Sequence, residues 1–216
     1  SPVECSLRSI CFLTDRVGWI AGGGTRPFVR AGYGVLLFTD DGGATWKQPA
    51  GITLPRLFYV RFFDLKNGVV VGEPTSDYPS GVFVTDDGGK TWQDVPGGRP
   101  AAWRTAIFSR IENGLIAGLQ GRITRVGGDR LIDPRLGDVG SRGIHGLTLD
   151  NRNRGWLVGD GGLVLQTGNA GISWQPPGKR LPEATRDLFD FRAVAARGAQ
   201  AWIAGSPGSV VWHTPD

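Results

Sequence analysis

An eight-residue motif that recurs along the chain constrains the fold more than any other feature. Its first copy reads Thr39-Asp40-Asp41-Gly42-Gly43-Ala44-Thr45-Trp46, and it returns with a single change at residues 85–92. A weaker copy covers residues 167–174, and a cut-off copy occupies residues 214–216. Each full copy follows a short apolar run and ends in Trp. This order indicates a strand, a tight turn and the start of a second strand.

The residue types of the motif suit such a turn. An Asp or Asn at the third position can accept hydrogen bonds from backbone N–H groups, and glycine at the fifth position tolerates a positive φ. The Thr or Ser hydroxyl can hold the turn further, and the Trp can bury its ring beneath the hairpin. We therefore interpret the motif as structural rather than catalytic. Its key residues are Thr39, Asp41, Gly43, Trp46, Thr85, Asp87, Gly89, Trp92, Asn169, Gly171 and Trp174.

The pattern S/T-x-D/N-x-G-x-S/T-W resembles the Asp-box, or BNR repeat. A second element, an apolar strand that ends in Gly, precedes each copy and occurs at residues 18–22, 68–72, 114–118, 155–159 and 201–205. Its terminal glycine recurs about every 41 to 50 residues. A period in the forties with several short strands per unit is typical of a β-propeller.

An alternating apolar strand opens each unit, so we predict an all-β propeller of four-stranded antiparallel blades. Each blade has the order strand A, strand B, strand C, Asp-box turn and strand D. Five blades are visible, and the third keeps the hairpin but lacks the Asp and Trp of the motif. We expect one domain, or a fragment of one, over residues 1–216. The predicted blades cover approximately residues 7–48, 56–96, 101–137, 143–177 and 190–216.

The fifth blade stops within its Asp-box, and two explanations are open. The chain can be a fragment of a ring of six to eight blades, or residues near Ser1 can supply the missing outer strand of a five-bladed ring. The interrupted motif and a first residue other than Met favour the fragment.

Composition excludes several function classes. The net charge of +4 is spread along the chain, without a basic run interleaved with aromatics, so we expect no nucleic-acid partner. The two histidines, His145 and His213, argue against a histidine-based metal site, and we expect no cofactor or metal. Cys5 and Cys11 can form a disulfide or remain two buried thiols. No apolar run is long enough to span a bilayer. We expect an extracytoplasmic location, periplasmic or secreted.

The connections between strands B and C carry the candidate binding residues. By resemblance to propellers generally, these connections lie on the usual ligand face, away from the Asp-box turns. They are long in the first two blades, at residues 23–34 and 73–81, and long loops on an economical scaffold often bind partners. The alternative is that they are decorative or pack on a neighbour. The candidates are Arg26, Arg30, Tyr33, Glu73, Asp77 and Tyr78.

Successive units that read G-W-hydrophobic-A/V-G followed by T-x-D-G-G-x-T-W resemble the photosystem II stability/assembly factor-like family. The resemblance covers essentially the whole chain and specifies fold better than role. It implies a non-enzymatic propeller that binds a membrane-protein subunit during assembly through an Arg-rich surface. No individual arginine of this chain can be matched to that surface.

An enzyme is the main alternative, because sialidase-like Asp-box propellers include glycoside hydrolases and carbohydrate-binding proteins. The early Arg-Ile-Pro motif of sialidases is absent. A carboxylate pair such as Glu73 with Asp77 or Asp160 could serve acid/base chemistry. A third alternative is a scaffold domain of a larger extracytoplasmic protein.

Overall fold

The computed structural model describes residues 5–27, 31–51, 53–136, 139–150, 152–178, 188–197, 200–207 and 212–213. Within these residues the protein consists of β-strands and connections, with no helix. The strands form five antiparallel sheets that follow one another along the chain. The predicted all-β fold class is thus confirmed.

The strand bounds are as follows. The first sheet holds β1 (Ser6–Phe12), β2 (Gly18–Thr25) and β3 (Gly32–Thr39). The second holds β4 (Leu57–Phe62), β5 (Gly68–Gly72), β6 (Val82–Thr85) and β7 (Gln93–Asp94). The third holds β8 (Trp103–Arg110), β9 (Asn113–Gly118), β10 (Ile123–Gly127) and β11 (Arg130–Ile132). The fourth holds β12 (Ile144–Leu149), β13 (Gly155–Gly159) and β14 (Val164–Thr167). The fifth holds β15 (Asp190–Arg197), β16 (Gln200–Ser206) and β17 (Trp212–His213).

In every sheet, sequence neighbours are also spatial neighbours, which is the meander of a propeller blade. The chain divides into two compact units. The first comprises residues 1–103, 110–112 and 128–130, and the second comprises residues 104–109, 113–127 and 131–216. The expectation of a single domain stays a prediction.

The fourth strand of the blade depends on one backbone donor. In the second sheet, the Val95 N–H donates to the Val82 carbonyl at 2.9 Å, just beyond β7. The equivalent residues of the first and fourth sheets are Pro49 and Pro177, and proline has no N–H to donate. The fourth strand there is reduced to one bridge per sheet, Phe38 with Lys47 and Gln166 with Gln175. The cut-off motif at residues 214–216 lies outside the described residues.

The second Asp-box shows how the motif holds its turn. The Thr85 hydroxyl donates to Asp87 Oδ1 at 2.8 Å and accepts the Gly89 N–H at 2.9 Å. The Thr91 N–H and hydroxyl both donate to the Asp87 carboxylate, at 3.0 and 2.6 Å. Gly89 has φ of +87°. The turn is closed by its own side chains, with glycine where a side chain would be strained.

The first and third copies have the same turn geometry, but the third copy has Asn169 in place of the Asp. Asp41 accepts the Thr45 N–H at 2.9 Å and the Thr45 hydroxyl at 2.6 Å. In the third copy Asn169 Oδ1 accepts the Ser173 N–H at 2.9 Å, and the Asn169 amide donates to the Ser173 hydroxyl at 2.9 Å. An amide therefore replaces the carboxylate, with the side-chain hydrogen bond reversed in direction.

Each Asp-box turn is fastened to the turn between strands A and B of the same sheet. The backbone N–H of the fourth motif residue donates to a carbonyl of that turn in all three copies. The pairs are Gly42 with Arg16 at 2.8 Å, Gly88 with Lys66 at 2.9 Å and Ala170 with Asn153 at 2.9 Å.

Above this contact, the last residue of strand A packs over the first glycine of strand B. A Cβ on Gly68 would lie 2.7 Å from the Phe62 ring. Phe62 in turn meets the Asp-box Trp92 edge to face, with ring centroids 6.2 Å apart, and stacks on Trp19 of the preceding sheet at 3.9 Å. Gly18 and Phe12 repeat the first contact at 2.8 Å. Glycine at this position is therefore required by packing.

Two apolar residues of β1 are exposed, although the equivalent residues of β4 are buried. Ile10 is 59% exposed, whereas its equivalent Val60 is 2% exposed. Leu7 is 41% exposed, whereas Leu57 is fully buried. Val60 lies in a core cluster with Cys11 of the preceding sheet, so a neighbouring sheet is what buries this face of a strand A.

Cys5 and Cys11 are both free thiols, and Cys11 is buried. Of the two alternatives that the sequence left open, the structure has the unpaired one.

Truncation of Trp92 tests the packing role of the motif. Trp92 is 9% exposed and contacts Phe62, so Trp92→Ala is expected to lower the free energy of unfolding by about 3–5 kcal/mol. Urea unfolding would measure it. Trp46→Ala is the matched control, because Trp46 occupies the same motif position but is only half-buried. Equal losses in the two variants would contradict this packing argument.

Acid sensitivity tests the hydrogen bonds of the turn. The Thr45 hydroxyl and N–H hold the pKa of Asp41 well below its usual range, and those of Thr91 do the same for the pKa of Asp87. A lowered folded-state pKa adds stability that is present above the unfolded value of about 3.9 and is lost as the pH falls below it. We expect an Asp41→Asn/Asp87→Asn protein to lose less thermal stability than wild type between about pH 5 and pH 2.

Asn169 shows that the motif accommodates Asn, so the double variant should fold. Asp86→Asn removes a charge beside the same turn and serves as the control. A double variant with the acid profile of wild type would show that these carboxylates do not contribute to it.

Candidate functional site

The connection between β2 and β3 is shorter than predicted, because both strands continue into it. Gly24 pairs with Tyr33 across the hairpin, and a Cβ on Gly24 would lie 3.0 Å from the Tyr33 hydroxyl. Arg26 is exposed, and its N–H donates to the Ala31 carbonyl at 2.9 Å. The structure thus presents an exposed Arg26 and a half-buried Tyr33. The other candidate of this connection, Arg30, lies outside the described residues.

The connection between β5 and β6 is anchored by an aromatic contact. Tyr78 is half-buried and packs on Phe83, with ring centroids 4.4 Å apart. The Thr75 N–H donates to the Tyr78 carbonyl at 3.0 Å. Asp77 is exposed at the tip, beside Ser76. Tyr78 therefore holds the loop on the core, and Asp77 is the side chain that the loop offers to solvent.

Glu73 belongs to a cluster at the start of β4, which we call the first cluster: Arg8, Arg56, Phe58 and Glu73. The Arg56 Nε donates to Glu73 Oε1 at 2.9 Å, and Arg56 Nη2 contacts the same oxygen. The Glu73 N–H donates to the Arg56 carbonyl at 2.9 Å. The carboxylate also lies against Gly32, which has no side chain to displace it.

Two guanidinium groups flank Phe58 in this cluster. The Arg8 Cζ lies 5.5 Å from the ring centroid and the Arg56 Cζ lies 5.6 Å from it, within cation–π range. Phe58 is 7% exposed, whereas Arg8 is exposed. With Glu73 set against Arg56, the cluster keeps one uncompensated positive charge, on Arg8.

A second cluster, His145, Asp160, Asp190 and Arg192, lies at the starts of β12 and β15. His145 Nε2 is 2.7 Å from Asp160 Oδ1 and 2.7 Å from Arg192 Nη1. Arg192 Nη1 also reaches Asp160 Oδ1 at 3.3 Å, and Arg192 Nη2 reaches Asp190 Oδ2 at 3.1 Å. The two carboxylates are held by backbone donors as well, from Gly143 and Gly161, each at 3.0 Å.

The two clusters occupy equivalent positions in their sheets. Glu73 and Asp160 each follow the last glycine of a strand B. In four sheets the second or third residue of strand A lies at a shift in strand register, a β-bulge that re-aims a side chain. The residues at this position are Arg8, Phe58, His145 and Arg192.

The sequence pattern indicated Glu73 and Asp160 but not the arginines that face them. Arg56 and Arg192 come from strands A and the segments before them, which are far from the long connections in sequence. Aligning the five units on the terminal glycine of strand B would have shown the bulge position, where Arg, Phe and His recur.

Two of the three carboxylates considered for acid/base chemistry, Glu73 and Asp160, each face a guanidinium. Among the described residues, no group of three or more His, Cys, Asp or Glu side chains could hold a metal ion. The described residues also form no helix that is long and apolar enough to cross a bilayer.

Comparison with known proteins agrees with the repeat pattern. Residues 141–216 match the family model of the photosynthesis system II assembly factor YCF48, and residues 83–94 match the BNR/Asp-box repeat. The photosystem II stability/assembly factor HCF136 of Oryza sativa subsp. japonica is 33% identical over 69 residues, 31% of this chain and 16% of that protein. The match thus spans about a sixth of the relative's length. The chain resembles this family of Asp-box assembly factors, as its repeats predicted.

Two solved structures are similar to this chain. One is a GH74 enzyme of Niastella koreensis, at 16% identity and a TM-score of 0.61, covering 99% of this chain and 30% of that one. The other is YCF48 bound to a D1 peptide, at 16% identity and a TM-score of 0.41, covering 100% of this chain and 93% of that one. The likeness to the GH74 enzyme supports the β-propeller fold class.

The ion pair of the first cluster can be tested through stability. Arg56 and Glu73 keep 27% and 30% of their side-chain surface, so Glu73→Gln is expected to cost about 1 kcal/mol or less in free energy of unfolding. Chemical denaturation would measure the change. Asp40→Asn is the control, because its pair with Lys47 is more exposed and should contribute less. A loss above about 3 kcal/mol would place Glu73 in a buried pair instead.

Proposed function

We propose that this chain is a non-catalytic, protein-binding propeller that acts as an assembly factor or scaffold. The observation that carries the proposal is the pairing of two of the three candidate carboxylates with arginine, Glu73 with Arg56 and Asp160 with Arg192. Each of these two carboxylates is the partner of a guanidinium, and Asp160 also accepts the Gly143 N–H, so both are held in place as parts of a polar surface. The similarity to assembly factors supports the same role.

The proposed binding surface is formed where the connections between strands B and C meet the starts of strands A. In the first compact unit this surface includes Arg8, Arg26, Tyr33 and Glu73, with Asp77 at the tip of the connection between β5 and β6. Arginine and tyrosine are enriched among the residues that dominate protein interfaces. Arg8 is exposed and already rests on the Phe58 ring, so less side-chain freedom is lost when a partner binds.

The charge of this surface indicates an acidic partner segment. Arg8 and Arg26 are both exposed, and Glu73 is set against Arg56 rather than against either of them. Arginine binds carboxylates with two parallel hydrogen bonds. We propose a protein partner with an acidic segment, with a membrane-protein subunit as the first candidate. We further propose that the protein acts outside the cytoplasm.

Site-specific photo-crosslinking tests the surface directly. A photoreactive phenylalanine analogue at Tyr33 should capture a protein from extracts that contain membrane and soluble fractions. The same analogue at Leu65, which is 62% exposed in the turn between β4 and β5, should not. Arg8→Ala/Arg26→Ala should abolish capture at Tyr33, because it removes the cations that attract an acidic partner.

Arg16→Ala/Lys66→Ala is the matched control. It removes the same charge from the turns between strands A and B, so capture should persist. Equal capture at Leu65 and Tyr33 would overturn the proposed surface. Hydrolysis of a polysaccharide that is lost in both Glu73→Gln and Asp160→Asn would overturn the non-catalytic assignment and favour a glycoside hydrolase.

A further inference from the structure

Neighbouring sheets pack on each other through their strands A in both compact units. In the first unit, β4 packs on β1 and β2, and Phe62 stacks on Trp19 with ring centroids 3.9 Å apart. In the second unit, β15 packs on β12 and β13. We call the face that a sheet turns toward the sheet before it its near face, and the opposite face its far face. Each of these contacts joins the near face of one sheet to the far face of the sheet before it.

The near face of the first sheet is exposed. Phe12 is 40% exposed, and Leu7 and Ile10 beside it on β1 are exposed as well. Their register against β2 matches that of the buried near-face residues of β4 against β5. Leu7, Ile10 and Ile20 also line an open cavity of about 240 Å³. Large apolar side chains that are exposed together in one patch mark an interaction surface.

The far face of the fifth sheet is exposed too. Trp202 of β16 is 37% exposed, and Ala193, Ala195 and Ala204 of the same face are exposed. By strand register Trp202 is the equivalent of Trp19, which is 2% exposed where the second sheet packs on it. A large ring set among three small side chains offers a flat apolar surface on which an aromatic side chain can stack.

We propose that these two faces bind each other between copies of this chain, the near face of the first sheet of one copy on the far face of the fifth sheet of the next. The contact repeats the packing of β4 on β1, so Phe12 stacks on Trp202 of the next copy as Phe62 stacks on Trp19. Because the two faces differ, the contact is head-to-tail. Each copy keeps one face for a further copy, until a ring closes.

Charges at the rim of the two faces are complementary. Arg8 lies at the bulge of β1, and its positive charge is not compensated within the first cluster. At the start of β15, Asp160 and Asp190 face one guanidinium, that of Arg192. In the first unit, Phe58 at the bulge of β4 lies against Arg8 of the preceding sheet. The same geometry brings Arg8 of one copy to this pair of carboxylates on the next.

This association does not depend on the proposed function. It covers Arg8, so a further copy and an acidic partner compete for that residue. Association is measured with the purified chain alone, whereas capture at Tyr33 requires a partner. The failure of one proposal is therefore distinguishable from the failure of the other.

Sedimentation velocity measures the association. The mass of the wild-type particle is expected to rise with concentration from one chain to two or more. Ile10→Lys places a charge on the near face and Trp202→Lys places one on the far face, and burial of an unpaired charge is costly. Each variant alone should therefore sediment as a single chain. An equal mixture of the two should form a one-to-one dimer, because it contains one intact near face and one intact far face.

The double variant Ile10→Lys/Trp202→Lys is the control, since it has neither face intact and should stay a single chain in every mixture. Wild type that stays a single chain at high concentration would refute the contact, as would single variants that do not dimerise when mixed. Association that survives Trp202→Lys but not Ile10→Lys would refute it in favour of a contact between two near faces. If Trp202→Lys lacks the circular dichroism spectrum of wild type, Ala204→Lys replaces it, because Ala204 is exposed on the same face.

Discussion

The contact between a glycine and a phenylalanine ring at the base of the first three sheets is the constraint on which the structure depends. Gly68 lies beneath Phe62, and Phe62 meets both Trp92 of its own sheet and Trp19 of the preceding one. A side chain on Gly68 would displace that ring from both neighbours. One residue without a Cβ therefore links the turn chemistry of the Asp-box to the packing of sheet on sheet. This linkage explains why glycine and tryptophan recur together in the sequence.

Such a frame separates stability from recognition. The Asp-box turns and the turns between strands A and B fasten each other at one end of the sheets. The opposite ends, where strands B finish and strands A begin, carry Glu73 and Asp160 with their arginines. The motif side chains hydrogen-bond within their own turns. Residues at the opposite ends of the sheets can therefore be substituted without loss of the fold. On such a repeat scaffold, function then depends on which side chains the individual sheets carry at these ends.

The repeats predicted most of the fold and little of the site. The strand at residues 155–159 and the order of strands in each sheet were predictable, because apolar alternation and the terminal glycine report directly on local structure. The reduced fourth strands were missed, since they end at Pro49 and Pro177, three residues beyond the Trp residues that start them. Arg56 and Arg192 were missed because Glu73 and Asp160 are distant in sequence. The register of β4 against β5 brings Arg56 to Glu73, whereas Arg192 reaches Asp160 from a neighbouring sheet. Tyr78 has the residue type of a binding platform, but its packing on Phe83 is a tertiary contact that no local pattern shows.

Pro49 and Pro177 also affect how readily the protein aggregates at high concentration. An outermost strand with a full row of unpaired donors and acceptors is a template for pairing with another molecule, which leads to aggregation. In the first and fourth sheets, the outer segment makes a single bridge and then reaches a residue that has no N–H to offer. Because the outer segment ends so soon, an incoming strand meets one bridged residue rather than a row of donors and acceptors. The same residues that shorten the blade keep its edge from recruiting copies of itself.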